Sequence, residues 1–280
     1  MSGTNGHSAF TFGPSVLFCP ADRPERYAKA AAAADAVILD LEDAVAPADK
    51  AAAREHVVAS SLDPATTIVR VNPVGGETAR EHELDLAALA GGPYPVLMVA
   101  KVEDPAQLDH LQEAGCSVIA LCETAAGVER AFEIARHPAV IALMWGAEDL
   151  VASMAGQSSR FAGGPRAGQY REVARYARSR VLVAANAAGK VAVDTVFMDI
   201  GDLDGLRAEA EDAAASGFAA TACIHPSQTA VIREAYAPSA EESEWARAVL
   251  AEAEVQPGVF RFRGRMVDEP ILRQARRIVG

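Results

Sequence analysis

Cysteine is scarce in this chain. Its four cysteines, Cys19, Cys116, Cys122 and Cys223, include no C-x-x-C pair. A disulfide framework or a thiolate zinc site needs cysteines in close pairs, so the reading is reduced, buried thiols in a cytoplasmic protein. Positive charge is also in short supply: 26 Lys and Arg stand against 38 Asp and Glu, a formal net charge of −12. A surface of that sign repels nucleic acid and anionic membranes, which excludes both as expected partners. No apolar run is long enough to cross a bilayer. The first residues, MSGTNGHSAFTFG, have neither a basic start nor an apolar stretch, so no secretory leader is read there and residues 1–14 are expected to be a flexible lead-in. A G-x-G-x-x-G turn is missing as well. The first strand ends in CPADRPER, which argues against an open doubly wound sheet built around a dinucleotide.

Apolar residues are abundant, at 50% of the chain. They fall into eight short runs: SVLFCPA (15–21), AVILDLED (36–43), TTIVRVN (66–72), PVLMVAK (95–101), SVIALCET (117–124), VIALMWG (140–146), VAVDTVFMD (191–199) and TACIHP (221–226). Each is rich in Val, Ile and Leu and apolar on both faces, as parallel strands covered on each side must be. The connectors are helical. DPAQLDHLQEAG opens on Asp104 and Pro105 and closes at Gly115, and DLDGLRAEAEDAAASG repeats the plan up to Gly217. Eight strand–helix units predict a (β/α)8 TIM barrel over residues 15–236. Residues 237–280 read as a C-terminal helical extension, with VFRFRG as a short strand or arm and EPILRQARRIVG as a last helix. No Gly/Ser linker marks it as an independent domain. It needs a surface to cover, and a neighbouring subunit supplies one.

In such a barrel the chemistry stands where the strands end. Reading off those ends collects Asp40, Glu42 and Asp43, then Arg70 and Asn72, Lys101, Glu123, Glu148 and Asp149, and His225. Glu123 and Asp149 end adjacent strands. Two carboxylates that converge need a cation or a proton between them, and with only oxygen ligands at hand a hard ion such as Mg²⁺ or Mn²⁺ fits. The alternative is a helix cap and a salt bridge, and Glu148 competes as a ligand. Gly146 and Ala147 offer backbone N–H groups at a helix start to a substrate carboxylate. Arg70, inside an apolar strand, either holds a substrate anion or pairs with Glu42 or Asp43. Lys101 is a Schiff-base candidate, although a lysine among acids stays charged, and an ion pair is the favoured reading. His225 reads as a supporting histidine. His7, His56, His82, His110 and His137 read as solvated.

Seven segments, SVLFCPADRPER, VILDLEDAV, VRVNP, ALCETAAGV, WGAEDL, CIHPSQ and GRMVDEPIL, resemble in order the citrate lyase beta subunit-like proteins of the HpcH/HpaI aldolase group, with malyl-CoA and citramalyl-CoA lyases among their kin. The likeness covers about residues 15–275. It implies a TIM barrel, a homotrimer or a hexamer of trimers, and a Mg²⁺-dependent carbon–carbon lyase acting on a coenzyme A thioester and a 2-oxoacid. Carried onto this chain, it makes Glu123 and Asp149 the metal ligands and Arg70 the contact to substrate carboxylate or carbonyl. Asp268 becomes the acid/base supplied to a neighbouring subunit's site. Glu148 is left a helix-start role, and Glu42, Asp43, Lys101 and His225 support the ligands. PADRPER departs from the PGSN-like version of many relatives, and Arg23, Arg26 and Lys29 there are candidates for coenzyme A phosphates. An acyl-carrier-protein-dependent citryl lyase subunit and a thioesterase or malate synthase-like variant share these motifs. A 2-oxoacid-binding protein without turnover is the non-enzymatic alternative.

Overall fold

The computed structural model describes residues 10–256 and 258–280; His7 and the first nine residues of the expected lead-in lie outside the described residues. The eight runs form a closed parallel barrel in chain order. Its strands are β1 (Ser15–Pro20), β2 (Ala36–Asp40), β3 (Thr67–Val71), β4 (Val96–Val99), β5 (Ser117–Leu121), β6 (Val140–Met144), β7 (Val191–Asp194) and β8 (Ala220–Cys223). Each strand stops short of the end of its apolar run, because the polar residues that follow leave the ladder at the mouth.

Side chains alternate along a strand, and this alternation positions the site. Val16, Ile38, Ile68, Met98, Ile119, Leu121, Ala142, Met144, Val193 and Ala222 belong to one buried cluster inside the barrel. Fully burying an aliphatic side chain of this size contributes roughly 1.5–3 kcal/mol. The same parity carried two residues further up each strand brings Asp40, Arg70, Glu123, Gly146, Thr195 and Ile224 to the inner side of the mouth.

The helical connectors start and stop where their capping residues stand. Asp104 accepts from the Ala106 N–H (2.9 Å) in a reciprocal capping box with Gln107. Asp202 accepts from the Gly205 N–H (2.9 Å), and Gly217, with φ +104°, closes the helix Leu203–Ser216. The described part of the expected flexible lead-in is instead fixed. Phe12 is buried in the interior cluster and meets Phe10 edge-on at 5.5 Å between ring centroids. The Thr221 N–H donates to the Pro14 carbonyl at 2.9 Å. An aromatic ring gains more inside the barrel than in water, and that burial orders the segment.

The chain divides into two compact units, Met1–Arg233 and Glu234–Gly280. The second contains the helix Ala240–Val255, an antiparallel hairpin of β9 (Phe260–Phe262) and β10 (Arg265–Val267), and the helix Glu269–Val279. It has a core of its own, made of Ala246, Val249, Phe260, Val267, Leu272 and Ala275. The sequence shows no linker because the division falls inside a helix, Pro226–Tyr236.

Candidate active site

A cavity of about 420 Å³ opens at the C-terminal mouth of the barrel, and Asp40, Asp43, Arg70, Glu123, Gly146, Ala147, Glu148 and Asp149 are among its lining residues. Arg70 and Asp40 are register partners on β3 and β2. Arg70 donates to Asp40 through Nε (2.7 Å) and Nη2 (2.6 Å), and its Nη1 lies 2.7 Å from Glu42 Oε2. Its guanidinium carbon is 4.9 Å from the Phe18 ring centre. Burial opposes the charge on Arg70, but Asp40 and then Glu42 outweigh it and hold the guanidinium protonated. The ion-pair reading of Arg70 is met by Glu42, joined by Asp40 in place of Asp43, and the same residue lines the cavity.

Glu123 is buried, at 2% exposure. Two residues below it, Leu121 and Met144 are register partners, so Glu123 and Gly146 stand side by side at the next inward position. Glu123 Oε1 accepts from the Lys101 backbone N–H at 3.2 Å. Burial, and after it the negative charges of Asp149 and Glu42, push the Glu123 carboxyl well above its ordinary range. Asp149 follows in the first turn of the helix Ala147–Ser153. Lys101 stands just behind the lining. Its ammonium contacts Glu42 and lies 3.4 Å from Asp43 and 3.5 Å from Asp149. Burial works against that charge, but Glu42 more than compensates and the amine stays protonated. An ammonium is a poor nucleophile, so this pairing favours the ion-pair reading of Lys101 over the Schiff-base one.

A buried carboxyl that resists ionisation, with the half-exposed Asp149 carboxylate close enough to raise it further, suits a divalent cation. The donors are oxygens, as Mg²⁺ and Mn²⁺ prefer. Among the described residues no three His, Cys, Asp or Glu side chains gather around one point. Two protein carboxylates, with water and substrate oxygens completing the shell, match the way Mg²⁺ is usually held.

The remaining predicted residues take separate places. Glu148 lines the cavity and accepts a hydrogen bond from the buried Ser159 hydroxyl, which turns it towards the following loop. His225 is exposed, and its Nδ1 pairs with the Ser227 hydroxyl (2.8 Å). Asn72 supports the fold: its side chain accepts from Lys50 (2.9 Å) and donates to Asp85 (2.7 Å). Arg23, Arg26 and Lys29 are exposed beyond β1, and Arg23 and Arg26 lie near Asp22 and Glu25 at 3.6 and 3.9 Å. Asp268 caps its own helix, accepting from the Ile271 N–H at 3.4 Å. Two histidines correct the expectation of solvation. His82 is 3% exposed and bonds the Asn72 carbonyl (2.7 Å) and His110 (2.9 Å), while His137, 7% exposed, pairs with Asp109 at 3.1 Å. His82 turns inward from the helix Ala79–Leu89 and His137 from the bend after the helix Ala131–Ala135, and the polar ring atoms find partners there.

Sequence reading missed Arg160 and Tyr170, which line the far wall. The Arg160 guanidinium stacks 3.7 Å from the Tyr170 ring centre and is tied to Glu209. Both come from a loop after the helix Ala147–Ser153, where strand periodicity gives no cue. Cys19, Cys122 and Cys223 are buried and Cys116 is half-buried; burial pushes the thiols of Cys19 up to about 11 and of Cys122 and Cys223 up to about 12.

The HpcH/HpaI aldolase/citrate lyase family model matches residues 14–226. A citrate lyase subunit beta-like protein of Mycobacterium tuberculosis is 54% identical over 263 residues, covering 94% of this chain and 93% of that protein. The mitochondrial citramalyl-CoA lyase of Rattus norvegicus is 31% identical over 295 residues, covering 95% and 84%. Among solved structures, CitE of M. tuberculosis in complex with magnesium, acetoacetate and coenzyme A superposes with a TM-score of 0.90 at 52% identity, covering 96% of this chain and 97% of that one.

Proposed function

Because this chain belongs to the HpcH/HpaI aldolase/citrate lyase family, we propose that it is a Mg²⁺-dependent lyase that cleaves, or in reverse condenses, a β-hydroxyacyl-CoA into an acyl-CoA and a 2-oxoacid. The observation that carries the reading is Glu123, a buried carboxylate crowded by Asp149 beside an arginine that faces the same cavity. The magnesium-bound relative and the lyase among the homologues support it.

Glu123 and Asp149 would hold the cation, which when bound supplies Lewis-acid charge at the substrate's hydroxyl and carboxylate. This chain's own residues do the rest. Arg70, fixed by Asp40 and Glu42, orients the substrate carboxylate and offsets negative charge as the carbon–carbon bond breaks. Lys101 holds Glu42, Asp43 and Asp149 in place. Gly146 and Ala147 border the cavity where the helix Ala147–Ser153 begins. Asp268, brought by the extension of a neighbouring subunit in a trimer, takes the hydroxyl proton in cleavage and returns it in condensation. Such acid–base help accounts for about 10²–10⁴-fold, roughly 3–5 kcal/mol, short of the 8 kcal/mol or more that enzymes typically supply. The larger share falls to charge stabilisation around Arg70 and the carboxylate pair. Arg23, Arg26 and Lys29 are the proposed contacts to the coenzyme A phosphates.

The deciding experiment incubates the protein with Mg²⁺, acetyl-CoA or propionyl-CoA, and glyoxylate, pyruvate or oxaloacetate in turn, and identifies products by mass. A condensed hydroxyacyl-CoA that fails to form under a chelator is the expected result. Free coenzyme A together with the free hydroxyacid would instead identify a thioesterase, and no product with any pair would overturn the lyase reading.

A further inference from the structure

Lys101 has φ +53°, one of three non-glycine residues among those described with a left-handed backbone. A side-chain-bearing residue adopts this conformation under strain, and such strain collects where neighbouring structure enforces it. The turn is clamped on the far side. The Val102 N–H donates to the Leu121 carbonyl at 3.1 Å, and the Val102 carbonyl lies so close to Gly127 that a Cβ there would approach it to 2.3 Å. Had β4 continued in extended form, its N–H groups would have followed the ladder to neighbouring strands. The left-handed residue instead sends its N–H to Glu123 Oε1 at 3.2 Å. The same residue extends its ammonium to Glu42, to Asp43 and, at 3.5 Å, to Asp149. One residue thus fixes the inner carboxylate through its backbone and the outer one through its side chain.

We propose that Lys101 is a positioning residue of this site and that its left-handed backbone, as well as its charge, sets Glu123 for a divalent cation. The inference rests on the lyase reading above. It separates from a simple ion-pair role through two neutral variants. Asparagine tolerates a left-handed backbone and valine resists it, so Lys101→Asn keeps the N–H aimed at Glu123 and Lys101→Val turns it away. Mn²⁺ affinity, read by electron paramagnetic resonance, is expected to be about tenfold weaker in the valine variant than in the asparagine variant, and turnover is expected to follow it. Equal Mn²⁺ affinity in the two would show that only the ammonium matters and would overturn the proposal.

If Lys101→Val does not fold, hydrogen exchange of the Lys101 amide decides. It is expected to be slow in the unaltered protein and at least about tenfold faster in Glu123→Ala, as the loss of its acceptor requires. Exchange at the same rate in both would overturn the proposal. An unaltered protein that binds no Mn²⁺ would sink the lyase reading and this role in it together, whereas equal variants on a protein that does bind Mn²⁺ sink this inference alone.

Discussion

Gly146 stands against Glu123 with no room between them: a Cβ on Gly146 would lie 2.5 Å from Glu123 Oε2 and 3.0 Å from its Cβ. The backbone at Gly146, φ −125° and ψ 122°, is one that any residue adopts. What the glycine reserves is space. Gly146→Ala is therefore expected to fold and to displace the carboxylate, with Mn²⁺ affinity lowered about tenfold or more by a shift of this size. Paramagnetic resonance titration checks this, and an unchanged affinity would mean that Glu123 does not hold the ion.

Glu123→Gln keeps the shape and removes the ionisable group. Lyase turnover is expected to fall by at least roughly 10²-fold, the scale seen when one electrostatic partner at a reacting centre is lost. The melting temperature is expected to hold or rise, because a carboxyl that burial and like charge push upward costs stability once ionised.

The pH dependence follows with a definite sign. The Glu123 carboxyl titrates higher in the folded protein than its ordinary 4.5. Its stabilising, protonated form is fully present below about 4.5, and that contribution fades as the pH climbs through the raised folded value. A cation competes with the proton, so Mn²⁺ affinity is expected to rise over the same interval and then level off. Urea unfolding without metal and metal titration, each at several pH values, test the two halves. Glu123→Gln is expected to flatten both.

Asp40→Ala would strip Arg70 of its two-point partner at a position where Asp40 is 1% and Arg70 9% exposed. Breaking one side of a buried pair destabilises by about 3–5 kcal/mol. Denaturant unfolding should show a loss of that order. A loss below about 1 kcal/mol would mean that Glu42 alone holds the guanidinium.

Asp268→Ala and Arg70→Ala are each expected to be inactive. Mixed and allowed to exchange subunits, they are expected to regain part of the activity, because some sites then pair an intact Arg70 with an intact Asp268. No recovery after proven exchange would place the proton elsewhere.

Much of this molecule was legible in its amino acids, for identifiable reasons. Apolar runs covered on both faces located β1–β8, and the two-residue alternation that fills the barrel also brings Asp40, Arg70 and Glu123 to its mouth. Arg160 and Tyr170 were not legible, because their approach to the cavity depends on how a loop folds and not on any repeat. His82 was misread because a histidine on a mostly polar helix gives no sign that it turns inward to the Asn72 carbonyl. The separate core of Glu234–Gly280 was hidden by the helix that runs through the division.

The apolar layer beneath the acids has one more consequence. Leu121, Met144 and Phe18 line the cavity and belong to or pack on the barrel interior, so the apolar layer itself offers the carboxylates no charge, and Arg70 and Lys101 offset them only in part. Under the reading proposed here, the rest comes from the solvent side. A small ion seated deep against Glu123 must enter before a bulky thioester corks the well, which makes the sequence of arrival, cation first and substrate second, a built-in property of the architecture under the reading proposed here.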